Sequence, residues 1–403
     1  MTMELTARTP AGARLVATAE RLAEDLGPRS AGHDRDGSYP FEGIDALRAA
    51  GYFAAAVPAP LGGRGVGSVH DAIVAAGRLA RGDASLAIGV NMHTVVVLNI
   101  ARRWRIARAA RDGRRERAFA ASLRAIAADD VVIATAMSEP GQDLTSPRTT
   151  AERTADGWRV EGHKIFCTMA PAATVLLTSV RFSDERGRDR YGYAEVPAGT
   201  PGVTINDDWD ALGMRASGSH SVTFEGVELP AAALRGGFPV GDTVSYLERN
   251  LASGLFHASA SLGIAESALA RAARPERIGD DARGRMLVAE AVIDLAAARS
   301  ALSRAADLID EHHAANPVGV GEEHEILALF AEAQAAKTFI GDAAARVVDR
   351  ALALSGGAGY LNGSPLARAY RDVRAGGFMH PLGANRAYEF LGDHALGRTP
   401  ALS

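Results

Sequence analysis

The chain has 403 residues, 44 Lys plus Arg against 48 Asp plus Glu, a formal charge of −4 and 47% hydrophobic residues. That length allows two or three domains with a large core, and the near-neutral charge excludes a basic surface of the kind that holds nucleic acid. The single cysteine, Cys167, excludes an intrachain disulfide and a multi-cysteine metal site. No apolar run approaches the ~20 residues of a membrane span and no hydrophobic signal core opens the chain, so a cytoplasmic protein without a membrane partner is expected.

From Ala11 to about Ala128 the apolar positions recur at helical spacing, as in Leu15, Ala19, Leu22 and Leu26 and again in Ile44, Leu47 and Ala50. Pro58-Ala59-Pro60-Leu61-Gly62-Gly63 breaks this pattern, and helix resumes over Asp71–Ala80 and Ala84–Ala101. The arginine-dense run Arg102 to Arg117 reads as a solvated helix face, because Trp104 alone offers a ring for base stacking. Short strand candidates follow at Val131-Val132-Ile133, Trp158-Arg159-Val160, Thr174 to Val180, Tyr191-Gly192-Tyr193 and Val222-Thr223-Phe224, punctuated by Gly, Pro, Asp and Asn. Helix then returns over Thr243–Ala273, Arg285–Ala314, Glu322–Leu354 and Asn385–Ala395, a pattern that suggests a bundle. The expected class is α+β and mainly helical, with a helical domain over 1–130, an antiparallel β domain over 131–235 and a helical bundle over 236–403. Asp307, Glu311 and His312 share one helix, but a solvated face explains them and no metal site is expected.

Four local sequences in this order resemble the acyl-CoA dehydrogenase superfamily over nearly the whole chain. They are Met137-Ser138-Glu139-Pro140-Gly141, Gly162-His163-Lys164-Ile165-Phe166-Cys167-Thr168, Leu212-Gly213-Met214-Arg215-Ala216-Ser217 with Val222–Pro230 after it, and Gly356-Gly357-Ala358-Gly359-Tyr360 with Tyr370-Arg371-Asp372 beyond. The resemblance implies an N-terminal helical domain, a middle β-barrel and a C-terminal four-helix bundle. It also implies a flavin ring between the β domain and the bundle. Met137 and Ser138, the Thr168 hydroxyl and the Phe166 ring would contact that ring, and Gly356 and Gly357 would meet the flavin tail of a neighbouring subunit in a homodimer or homotetramer.

Two chemistries are known on this fold, and both remain open at this point. Dehydrogenases remove an α proton with a glutamate, and Glu248 is the candidate base here. Monooxygenases of the superfamily take FMNH2 or FADH2 from a separate NAD(P)H:flavin reductase, add O2 to form a C4a-hydroperoxide and oxygenate a small molecule. The departures favour the second. His380 stands nine residues after Arg371, where the dehydrogenase glutamate would sit, and a histidine there could hold or relay a proton near neutral pH. His93 resembles a histidine near the flavin in sulfur-heterocycle monooxygenases. The adenosine-gripping pattern is degraded to Arg274-Pro275-Glu276-Arg277-Ile278-Gly279, and Ala353 replaces an expected glutamine, which fits a diffusing flavin. The expected catalytic residues are therefore His380, His93 and Ser138. Met92, Phe256, Phe378 and Met379 are the expected walls for an aromatic or heterocyclic substrate of natural-product metabolism.

Overall fold

A computed structural model describes residues 3–141 and 143–402. The first third is helical, over Pro10–Leu26, Ser30–Asp36, Phe41–Ala49, Val69–Ala80, Ala84–Ala109 and Gly113–Ala127. Several starts are fixed by local side chains. The Thr9 hydroxyl accepts from the Gly12 amide, and the Ser68, Asp83 and Asp112 side chains do the same three residues ahead, each satisfying an orphan N–H of the first turn. The Ala84–Ala109 helix is apolar and long enough to cross a membrane by composition, but 78% of its most apolar window is buried inside the protein, so it is the central core helix.

Eight strands follow: β1 (Ile133–Ala136), β2 (Thr150–Arg153), β3 (Gly157–Lys164), β4 (Val175–Ser183), β5 (Asp189–Pro197), β6 (Val203–Ile205), β7 (Val222–Pro230) and β8 (Leu234–Pro239). Their order is β6-β7-β3-β2-β4-β5-β8, with β1 added parallel to β4. The neighbours are antiparallel apart from the β1–β4 pair and a single parallel contact of β2 with β4. Among the described residues β6 and β8 stand at the two ends of this path, so the hydrogen-bonded sheet has two free edges. Strand β8 was not legible because Gly236 and Gly237, both at positive φ, read as a turn; the free edge of β5 recruits the segment nonetheless.

The C-terminal third holds the long helices Ser253–Ala272, Ala282–Ala315 and Glu323–Ser355, with Ala384–Ala395 beside them. The continuous helix expected over Thr243–Ala273 is broken. It runs over Thr243–Arg249, stops, and resumes at Ser253, because the Asn250 side-chain amide donates to the Tyr246 carbonyl and the Ser253 hydroxyl to the Asn250 carbonyl. N- and C-terminal helices share one core, from Leu15 through Leu255 and Phe330 to Phe390. Their closest approach is at Gly263, where a Cβ would lie 2.3 Å from the Gly77 carbonyl oxygen, so only glycine lets these helices meet.

The sheet is tied together by one buried ion pair. The Lys164 ammonium at the end of β3 lies 2.6 Å from Glu139, whose carboxylate also accepts from the Arg148 and Thr149 amides and the Thr149 hydroxyl. Lys164 further donates to the Ser179 hydroxyl of β4 at 3.0 Å. Burial alone would raise the Glu139 carboxyl; the ammonium and the hydrogen bonds outweigh it and hold the group below the ordinary carboxylate range. Removing one partner leaves an uncompensated charge inside the protein. Lys164→Met is therefore expected to cost about 3–5 kcal/mol of stability, seen as a lower urea midpoint, with partial recovery when Glu139→Gln is added. A Lys164→Met chain as stable as the parent would refute this role.

Candidate active site

A cleft of about 1770 Å³ opens between the sheet, the Ala84–Ala109 helix and the segments 246–257 and 371–380. The sheet supplies Met137 and Ser138 just beyond β1, and Phe166 and Thr168 just beyond β3. Phe166 sits on left-handed backbone, φ 57°, which holds its ring 60% exposed and edge-on to Trp209 at 6.1 Å. Such a conformation is costly for a residue with a side chain, and here it accompanies a ring that lines the cleft. The Thr168 hydroxyl is 2.9 Å from that of Ser219, which in turn is 2.6 Å from the Ser217 hydroxyl. The Trp209 indole N–H donates to the Met214 carbonyl, and the Met214 amide donates to Asp372 at 2.6 Å. Burial raises the Asp372 carboxyl to about 6.

The helical wall carries Met92, Tyr246, Arg249, Asn250, Ser253, His257, Phe378, Met379 and His380. The His380 Nε2 is 2.9 Å from the Asn250 Oδ1. Because the Asn250 amide nitrogen already donates to Tyr246, its oxygen accepts and His380 carries its proton on Nε2, an assignment made from the hydrogen-bond network. Burial, with the Lys337 ammonium adding to it, lowers His380 to about 3. This corrects the expectation of a group that stores a proton near neutral pH: His380 is a neutral imidazole that donates at Nε2 and accepts at Nδ1. Lys337 donates to the Met379 and Leu382 carbonyls and so fixes the segment that presents His380; burial lowers this ammonium to about 7.

Four expected site residues fall elsewhere. His93 is wholly buried and does not line the cleft. Its Nδ1 accepts from the Ile133 amide at 3.1 Å and its Nε2–H donates to the Phe53 carbonyl at 3.0 Å, so both nitrogens are spent joining the N-terminal helices to β1. Burial lowers it to about 4, and the catalytic role expected for it has no geometric basis. Phe256 is wholly buried in the helical core, and it is its neighbour His257 that faces the cleft. Gly356 and Gly357 are exposed on the surface and do not line this cleft. The residues missed in the sequence, Tyr246, Asn250, His257 and Lys337, come from three different helices and the break between the first two. Lys337 did leave a trace, as one of two lysines among 44 cations. Asp307 pairs with Arg8 at 3.0 Å, and among the described residues no cluster of His, Cys, Asp or Glu could hold a metal.

Family models described as acyl-CoA dehydrogenase N-terminal, middle and C-terminal domains match residues 10–104, 134–227 and 248–385. The chain belongs to the acyl-CoA dehydrogenase family. It is 34% identical to the amino sugar nitrososynthase DnmZ of Streptomyces peucetius over 97% of its own length and 95% of that protein. The solved structure of KijD3 in complex with FMN and dTDP-3-amino-2,3,6-trideoxy-4-keto-3-methyl-D-glucose is 33% identical, with a TM-score of 0.90, and covers 98% of this chain and 96% of that one. Methanesulfinate monooxygenase MsuC of Pseudomonas fluorescens, at 23% identity and a TM-score of 0.81 over 98% of this chain and all of that one, shares the fold.

Within this family the alternative base Glu248 can be judged by position. It is 5% exposed, lies outside the large cleft, and its two oxygens face the Arg103 and Arg102 guanidinium groups, Arg102 at 3.6 Å. These arginines are therefore not the solvated face expected from the sequence; Arg102 and Arg103 turn inward to cover a buried carboxylate. Glu248 thus lies outside the large cleft and is held by two arginines, and nothing in this geometry presents it to a molecule bound in that cleft.

Three buried neutral histidines make stability depend on pH. His93 and His380 titrate near 4 and 3, and His257 well below the ordinary value, whereas in the unfolded chain each titrates near ~6.5. Between those limits the unfolded chain binds protons that the folded one refuses, so stability falls as pH drops from about 6.5 toward 4, by up to ~1.4 kcal/mol per pH unit for each group. Urea unfolding at a series of pH values should show this, and His93→Gln should flatten the slope by about one proton. An unchanged slope in that variant would mean that His93 is not buried neutral.

Proposed function

We propose that the protein is a reduced-flavin-dependent monooxygenase that oxidises the primary amine of a nucleotide-linked amino sugar. The carrying observation is the donor set of the cleft. Hydroxyls of Ser138, Thr168 and Ser219, a displayed Phe166 ring and the neutral imidazole of His380 converge there, and the lining carboxylates, Asp112 and Glu195, lie away from them beside the Gly113–Ala127 helix. Neutral donors and a flat apolar face suit a flavin ring, whose nitrogens change hydrogen-bonding state with oxidation level. Reduced flavin bound there would supply the electrons that activate O2.

The amino sugar is supported by the full-length likeness to nitrososynthases, and it takes the place of the aromatic or heterocyclic substrate expected from the sequence. The cleft's own residues agree. Arg249 lies over the Tyr193 and Phe238 rings at 5.2 and 4.6 Å, and its Nε is buried without a partner. With Arg114, which also lines the cleft and like Arg249 makes no ion pair among the described residues, it offers the charge that a diphosphate needs. In this reading a separate NAD(P)H:flavin reductase supplies FMNH2 or FADH2. The exposed Gly356-Gly357 turn meets the flavin tail of a second copy in a homodimer or homotetramer.

His380 orients its Nε2–H toward Asn250 and leaves Nδ1 to hold a proton-bearing group of the reacting complex. The test supplies the full chain with NAD(P)H, a flavin reductase, FMN or FAD, O2 and a dTDP-linked amino sugar, and measures N-oxidised product by mass spectrometry together with released H2O2. Wild type should form product. His380→Ala should lower product per reduced flavin by about 10²–10⁴-fold and raise H2O2, while Glu248→Gln, though less stable, should keep the wild-type ratio of product to peroxide. Oxidation of an acyl-CoA at Cα–Cβ with no N-oxidation would overturn the proposal.

A further inference from the structure

Among the described residues five that are not glycine stand on left-handed backbone, and three of them fall in two segments that lie against each other. Phe166 and Met169 belong to one segment and Met214 to the other. The Cys167 amide donates to the His220 carbonyl and the Met169 amide to the Ser217 carbonyl, both at 3.0 Å, so the two segments move as one. Backbone of this kind is costly and persists only where its surroundings over-determine it. Phe166, Trp209 and Met214 all line the cleft.

The second segment is held from behind by Asp372, which does not itself line the cleft. The Asp372 carboxylate accepts from the Met214 amide at 2.6 Å, and the Met214 carbonyl accepts from the Trp209 indole N–H at 3.0 Å. The indole is therefore tied to a residue whose strained backbone is pinned by one carboxylate, and it meets Phe166 edge-on. The approach is tight, because a Cβ at Gly213 would lie 2.3 Å from the Arg371 carbonyl oxygen.

Asp372 is an expensive choice for this place. It is 5% exposed, and the charged groups that face it are Arg368, Arg371 and Asp34. Arg371 pairs with Asp34, Arg368 donates to the Ser30 hydroxyl, and among the described residues neither makes an ion pair with Asp372. A buried carboxylate without a paired cation is destabilising, and an apolar side chain would avoid that penalty. What the carboxylate gives in return is a charge-assisted bond to a backbone N–H, stronger than a neutral acceptor makes.

We propose that Asp372 is a positioning residue of the flavin site, which through the backbone of Met214 fixes the Trp209 indole beside Phe166 and so sets the aromatic face offered to a flavin ring. This rests on the flavin use proposed above and adds a residue that acts without touching flavin or substrate. The test is a double-mutant cycle on the full chain, with FMN affinity read by calorimetry for the oxidised flavin and by anaerobic titration for the reduced one. The proteins are wild type, Asp372→Ala, Asp372→Asn, Trp209→Leu, Trp209→Phe and the double variant Asp372→Ala with Trp209→Leu.

Asp372→Ala and Trp209→Leu should each weaken FMN about tenfold, the loss of one well-placed aromatic contact. The double variant should be no more than about twofold weaker than Trp209→Leu, because Asp372 acts through the indole. Asp372→Asn, whose amide oxygen still accepts from Met214, should stay within about twofold of wild type. Trp209→Phe leaves Asp372 untouched, keeps a ring and lacks the N–H for Met214, so it measures the same tie even if Asp372→Ala does not fold; it should weaken FMN nearly as much as Trp209→Leu. Losses that multiply in the double variant would show that Asp372 only supports the fold, and would overturn the assignment. Wild-type affinity in Trp209→Phe or in Asp372→Ala would do the same, and a wild type that still forms N-oxidised product would then leave the proposed function standing. Coupled losses of FMN in a chain that yields no N-oxidised product would instead keep Asp372 as a positioning residue and overturn the amine oxidation. A wild type that binds FMN in neither state would overturn both.

Discussion

The Lys164–Glu139 pair is the constraint on which the cleft's sheet wall depends. It joins the end of β3 to the turn after β1, and through Thr149 and Ser179 it reaches the approach to β2 and the middle of β4. Met137 and Ser138 immediately precede Glu139, and Phe166 and Thr168 stand two and four residues after Lys164. A buried charge tolerates little displacement from its partner, so the pair holds both groups of cleft residues at a fixed separation. The displayed, left-handed Phe166 is affordable because the strand that carries it is anchored two residues earlier.

The helical wall is organised on the opposite electrostatic principle. Its inner part is built from imidazoles kept neutral by burial and from a lysine whose ammonium is consumed by two backbone carbonyls. The one carboxylate that the sequence offers as a base is turned away and covered by Arg102 and Arg103. A wall of this kind offers neutral donors and acceptors rather than a carboxylate. The cations along the cleft include Arg249, which lies against the Tyr193 and Phe238 rings.

Arginine outnumbers lysine so heavily here that the two exceptions are informative. Both Lys164 and Lys337 are buried, at 0% and 5% exposure, and each places a compact ammonium between two oxygens. A planar guanidinium is too broad for either place. The bias in the remaining cations thus has no bearing on function, while the departures from it mark the two points that fix the cleft's walls.

The sequence by itself determined the order of helical, β and helical segments, because hydrophobic periodicity is a local property and each long helix carries its own apolar stripe and cap. Two of the four motifs likewise located Met137, Ser138, Phe166 and Thr168, and the spacing from Arg371 located His380, all of which line the cleft. Tertiary structure alone decided the rest. Whether His93, His257 or His380 reaches the cleft depends on which way a helix is rotated and on what backbone atoms its neighbours bring, and three histidines on apolar stretches look alike until those neighbours are present. The same holds for Glu248, whose partners lie some 145 residues earlier in the chain. The break at Asn250 and the glycine-rich β8 were also settled by tertiary contacts, where an exposed strand edge or a competing side-chain hydrogen bond overrides local propensity.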